Sequence, residues 1–130
     1  MRRRILLAAL LPALAACQLP RDEVAQGPVP VVFFTEDSAA LNDDGRAVVA
    51  SAAKIAKANP NAPVTVMGFA GPAGSQGYNQ ALSDARARMV ADALIAEGVP
   101  ASRIQIRPRG PVPFEMIPTE SRRVEIRVGS

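Results

Sequence analysis

The sequence predicts an α+β fold, a two-layer sandwich with two helices on one face of a mixed four-stranded sheet. Three observations carry this. Four short runs have strand character, at 29–34, 64–68, 103–107 and 122–128. Two longer segments, 42–58 and 76–97, repeat apolar residues at helical spacing. The resulting order is β-α-β-α-β-β. Its two crossovers are expected to be right-handed, which puts both helices on the same side of the sheet.

Each element has its own warrant. The first strand, Val29 to Phe34, is β-branched and aromatic, and Pro30 is tolerable at a strand start. Asn42 or Asp43 caps the first helix, with acids in its first turn, and Asn59 and Pro60 stop it. Its apolar face reads as Val48, Ser51, Ala52 and Ile55, rich enough in small residues for close packing on a sheet. Strand two is Val64 to Gly68. The second helix repeats Leu82, Ala87, Val90 and Leu94, with Met89 and Ala93 beside them. Gly98 suits its C′ position and Pro100 its stop. Strands three and four alternate cleanly, so each has one wet face. Prolines at 108, 111, 113 and 118 make 108–121 an ordered loop rather than a helix.

Composition narrows the function. The chain has 130 residues, enough for one domain. One Cys forbids an internal disulfide, and the absence of His excludes His-based catalytic and metal sites. The formal charge of +3 is supplied by Arg2, Arg3 and Arg4; from Cys17 onward basic and acidic residues are equal in number. With one Tyr and no Trp as well, no nucleic-acid partner is expected. There is no GxxxxGK[ST] loop, and Ser-His-Asp catalysis is impossible without His. The sequence therefore points to a binding module rather than an enzyme, with no cofactor and no metal.

The N-terminus has the pattern of a targeting segment. Three arginines precede the apolar run 5–16, which is interrupted only by Pro12. Twelve residues are too few for a bilayer, which needs about 20, and suit a secretory signal. Leu14-Ala15-Ala16-Cys17 resembles a bacterial lipobox. That resemblance implies cleavage before Cys17 and acylation of the new terminus, anchoring at about 0.8 kcal/mol per buried CH₂. The alternative is ordinary cleavage that leaves a free thiol. Gln18, rather than Asp, after the Cys implies the outer membrane, with the domain facing the periplasm. The expected organisation is thus a signal peptide over 1–16, a polar tether over 17–28 and a folded domain over 29–130.

The stretch from Gly68 to Val90 is the candidate site. Glycines at 68, 71, 74 and 77 follow a strand and precede a helix that carries Arg86. Glycine permits close approach, a helix start offers free N–H groups, and Arg86 offers a bidentate fork. Together they suit a small anionic group. The same residues also suit a tight βα loop with Arg86 solvated or paired to an Asp.

Several segments resemble the OmpA-like, peptidoglycan-associated family in order. They are Val32-Phe33-Phe34 with Asp37 to Leu41 and Gly45-Arg46; Tyr78-Asn79 through Leu82-Ser83, Arg86-Ala87, Val90 and Leu94; Gly98 to Ile104; and Arg122 to Ile126. The resemblance implies non-covalent binding of the peptidoglycan stem peptide at the free end of diaminopimelate, where one carbon bears an ammonium and a carboxylate. It implies that Arg86 takes the carboxylate, with Asn79, Gly71, Asp37 and Arg122 as further candidate contacts. The family's ammonium-binding Asp, in a GHTD segment, falls on Gly71, and its Asn before the double Arg falls on Ser121. The loop before that pair is shorter than the family's. Three functions follow: wall binding with Asp37 or Glu36 as the substitute anion, a structural or protein-interaction module with a degenerate site, or a site for another carboxylate.

Overall fold

A computed structural model describes residues 27–113 and 116–129. The leader, Cys17 and most of the tether lie outside the described residues, as does Phe114. The order is β1 (Val31–Phe33), α1 (Asp43–Ala58), β2 (Val64–Ala70), α2 (Gln76–Ala96), β3 (Ile104–Pro111) and β4 (Arg123–Val128). One-turn 3-10 helices at Ala101–Arg103 and Pro118–Ser121 precede β3 and β4. The sheet order is β1-β4-β2-β3. β4 is antiparallel to both neighbours, and β2 and β3 are parallel. The sheet is therefore mixed, with both helices packed on one face, as the sequence predicts.

The helices start and stop where their caps dictate. The Asn42 side chain accepts from the Gly45 amide, and Ser75 accepts from the Tyr78 amide. Gly98 follows α2 with φ +98°, a conformation glycine adopts without strain. The core between the layers takes Val32, Val64, Val66, Val124 and Ile126 from the sheet. It takes Val49, Ala52, Ala53 and Ala56 from α1, and Ala87, Val90 and Leu94 from α2. Burial of each large aliphatic contributes about 1.5–3 kcal/mol.

Three expectations need correction. The buried face of α1 is Gly45, Val49, Ala52, Ala53 and Ala56, about one residue on from the face expected. Val48 and Ile55 are half-buried and Ser51 is exposed. In a helix so rich in Ala, the side that lets the backbone approach the sheet wins over the side with the larger residues. Strand β3 continues through Pro108 to Pro111, which the sequence assigns to a loop. It is an edge strand paired only with β2, so the missing N–H groups leave no central ladder broken. The remainder of that loop includes the turn Pro118–Ser121, where Pro118 occupies a helix-start position.

Topology fixes two poles. β1 and β2 run the same way, since both oppose β4. Their starts lie together at one end of the sheet, where Ile126 donates to Pro30 O and Gly129 to Pro63 O. Their C-terminal ends, the start of β4 and the start of α2 meet at the other.

Candidate functional site

At that second pole lies a cavity of about 310 Å³. The loop after β1 contributes Glu36 and Asp37, the β2–α2 loop contributes Gly71, and α2 contributes Asn79 and Arg86. The segment entering β4 contributes Ser121 and Arg122. All five expected ligand residues (Arg86, Asn79, Gly71, Asp37 and Arg122) thus line one cavity. Phe69 does not plug it: that ring belongs to β2 and is covered by the Arg123 guanidinium, 4.0 Å from its centroid.

Arg86 corrects the sequence reading in one respect. It is neither solvated nor paired with a carboxylate. It is 0% exposed, and no acid lies within salt-bridge distance of it among the described residues. Its Nε donates to Ser38 O at 2.8 Å. One terminal nitrogen donates to Phe69 O and the other to Thr35 O, each at 3.1 Å. The guanidinium also stands 5.4 Å from the Phe34 ring centroid. Three of its five N–H groups are used in this way, and the side chain still lines the cavity. Burial pushes its pKa down, the nearby Arg122 charge pushes the same way, and Asp37 partly offsets both. Arg86 is therefore a structural staple between the β1 loop and the end of β2, and at the same time a cation at the cavity wall.

The other residues are held with comparable definition. Arg122 donates to Phe34 O at 3.2 Å and to Thr119 Oγ1 at 3.1 Å. The Asn79 side chain is buried and donates to Ala73 O at 2.7 Å, which fixes the glycine-rich loop. Asp37 has φ +51°, and its carboxylate accepts from the Tyr78 hydroxyl at 3.2 Å. Loss of hydration and, next, the Asp37 charge push the Tyr78 phenol pKa up. Gly71 faces Ser121: a Cβ built there would stand 3.3 Å from Ser121 Oγ. Two guanidinia on one side and two carboxylates on the loop after β1 make a site of mixed sign, suited to a zwitterion. The sequence reading passed over Ser121 and Leu82 as wall residues. Ser121 gave a signal, because it stands at the position of the family's Asn.

Comparison with known proteins agrees with this geometry. Residues 33–115 match the OmpA family. A probable lipoprotein, YiaD, of Escherichia coli is 38% identical over 101 residues, covering 73% of this chain and 46% of the relative. A peptidoglycan-associated lipoprotein of Agrobacterium fabrum is 36% identical over 74 residues, covering 57% of this chain and 42% of the relative. The chain thus spans less than half the length of these curated relatives. The crystal structure of the peptidoglycan-associated lipoprotein from Burkholderia pseudomallei superposes with a TM-score of 0.71 at 25% identity, over 76% of this chain and 89% of that one. The family match runs through most of the folded domain and the overall fold superposes, and the chain belongs to the OmpA family.

Proposed function

We propose that this protein is a lipid-anchored envelope protein whose domain binds the peptidoglycan stem peptide non-covalently, as a binding module and not an enzyme. The observation that carries the reading is the buried Arg86 at the wall of a solvent-reaching cavity that also holds Asp37 and Arg122. A diaminopimelate end would place its carboxylate toward Arg86 and Arg122 and its ammonium toward Asp37, with Glu36 beside it. Relatives named as lipoproteins, one of them peptidoglycan-associated, support the envelope setting. In this reading Cys17 carries the acyl chains and the domain faces the periplasm from the outer membrane. The tether would enter at the pole opposite the cavity, so an anchored domain would present its cavity away from the membrane.

Gly71 is the point at which the reading is tested. It lies outside the left-handed region, and only Ser121 Oγ crowds an added Cβ, by a few tenths of an ångström. Gly71→Asp restores an anion beside the cavity without backbone strain. One charge-assisted hydrogen bond is worth about 1.5–3 kcal/mol, or about ten- to a hundredfold in affinity. The parent domain is expected to bind a soluble stem peptide ending in diaminopimelate measurably, and Gly71→Asp to bind it at least about tenfold more tightly. Calorimetry checks both. Binding by neither protein defeats the wall-binding reading and leaves the protein-interaction module.

A further inference from the structure

The face of the sheet not covered by the helices carries an unbalanced charge. Val32, Val124 and Ile126 point into the core, so their neighbours point the other way. Strand pairing sets Phe33 opposite Arg123, and Met67 between Glu125 and Arg107. Arg127 follows on the same side of β4. Among the described strand residues, this face therefore presents Arg107, Arg123 and Arg127 with the carboxylate of Glu125. Glu125 is shared, accepting from Arg123 at 3.1 Å and from Arg127 at 3.1 Å. Among the described residues, Arg107 donates to Gln105 Oε1, at 3.3 Å, and to no carboxylate. Arg109 stands exposed at the bulge on the rim. The helical layer is mixed in sign, with Asp43, Asp44, Asp92 and Glu97 among its exposed residues. An anionic surface would accordingly meet the sheet and not the helices.

We propose that this open sheet face docks on an anionic lipid surface. Three observations favour lipid over other polyanions. The positive charge is spread over a face rather than gathered in a cleft. Phe33, 50% exposed, stands on the same face among the arginines, as aromatic side chains do at membrane interfaces. Phe33 also belongs to β1, the strand that residues 18–27 feed from Cys17, and ten extended residues reach at most about 35 Å. This last point rests on the lipid-anchor reading; the chemistry of the face does not. The cavity lies at a strand end and the arginines on a sheet face, so the two contacts are separable.

The test uses the chain from residue 17 onward with Cys17→Ser, so that no acyl chain contributes. Co-sedimentation is measured with phosphatidylcholine vesicles, with and without phosphatidylglycerol. The protein is expected to pellet with the anionic vesicles at low salt and to be released by high salt. Each arginine near an anionic membrane is worth about fivefold in affinity. The double variant Arg107→Gln/Arg127→Gln is therefore expected to lose about thirtyfold, while Lys54→Gln on the helical layer binds like the parent. Equal pelleting with uncharged vesicles, or a double variant that binds like the parent, overturns the proposal. So does an arginine-dependent dimer in sedimentation velocity without vesicle binding, which would give the face to a second copy. So does loss of binding to peptidoglycan sacculi in the double variant without vesicle binding, which would give it to the wall. Mass spectrometry of the cell-derived protein reads acylation at Cys17 separately. Vesicle binding by a chain that proves unacylated upholds this proposal and removes the anchor.

Discussion

Arg86 is a buried cation whose hydrogen-bond acceptors among the described residues are backbone carbonyls. Thr35 O, Ser38 O and Phe69 O each lose a donor if it is shortened, and the space it fills is left empty. Arg86→Met keeps most of the volume and removes the donors. It is expected to destabilise the domain by about 3 kcal/mol, read from urea unfolding. A loss of ligand binding in that variant would therefore mix folding with recognition, which is why the gain expected of Gly71→Asp is the sharper assay. The sequence marked Arg86 as a cation beside a glycine-rich loop, but its burial was not legible. Every residue has a carbonyl, so no residue type announces the acceptors that allow an arginine to be buried. Asp37 offers an independent probe. Tyr78 is the only tyrosine in the chain and there is no tryptophan, so its phenolate absorbance titrates alone. The folded-state pKa is raised, with loss of hydration and then Asp37 as causes. In Asp37→Asn the midpoint is expected to fall toward the ordinary tyrosine value while remaining above it. An unchanged midpoint would mean that the Asp37–Tyr78 contact is absent in solution.

At the scale of elements, the contact that positions the site is that of α2 on β2. A Cβ at Gly68 would stand 2.0 Å from Ser83 O and 3.0 Å from the Ala87 Cβ. The strand and helix backbones therefore touch, and only glycine permits it. One turn along, Ser83 is fully buried; its hydroxyl accepts from the Gly110 amide at 3.0 Å and donates to Gln80 O at 2.8 Å. This one helix thus ties β2 to β3 at Ser83, between the two site residues Asn79 and Arg86. Gly68→Ala is expected to cost about 2–3 kcal/mol by overpacking, seen as a lower thermal midpoint. It is also expected to weaken ligand binding, because α2 must move outward and carries Arg86 with it. The helix was readable in its C-terminal end, Gly98 and Pro100, and in Val90 and Leu94. Its first half was less so: Asn79 and Arg86 are buried there against loops and the cavity and Ser83 against β2 and β3, and a search for apolar periodicity passes over buried polar residues. Gly68, counted in the sequence as one of four loop glycines, proves to be the closest point of helix–strand packing. The extension of β3 through two prolines was hidden for another reason: proline argues against a strand until the strand is known to lie at an edge.

For the whole molecule, the useful property is polarity. The chain enters at one end of the sheet and the cavity opens at the other, because β1 and β2 are parallel and the site gathers their C-terminal ends. Strand directions of this kind follow from the β-α-β-α-β-β order, so the separation of the start of β1 from the cavity was in principle legible. The sheet order was not, because the sequence does not say that β4 inserts between β1 and β2. Buried core residues begin at Val32, and no described helix is long and apolar enough to cross a membrane. On the lipid-anchor reading, membrane attachment is expected to depend on Cys17 alone or on Cys17 with the sheet face. Cys17→Ser, made in the full chain and followed in cells, is expected to move the protein from the membrane pellet to the soluble envelope fraction at high salt. The purified chain from residue 17 carrying the change is expected to keep its thermal midpoint within about 4 °C of the parent's, the shift that about 0.5 kcal/mol would give. Retention in the pellet at high salt would show a hydrophobic attachment other than an acyl chain at position 17, which an uncut apolar run over 5–16 would supply. A fallen midpoint would instead place part of the tether in the fold.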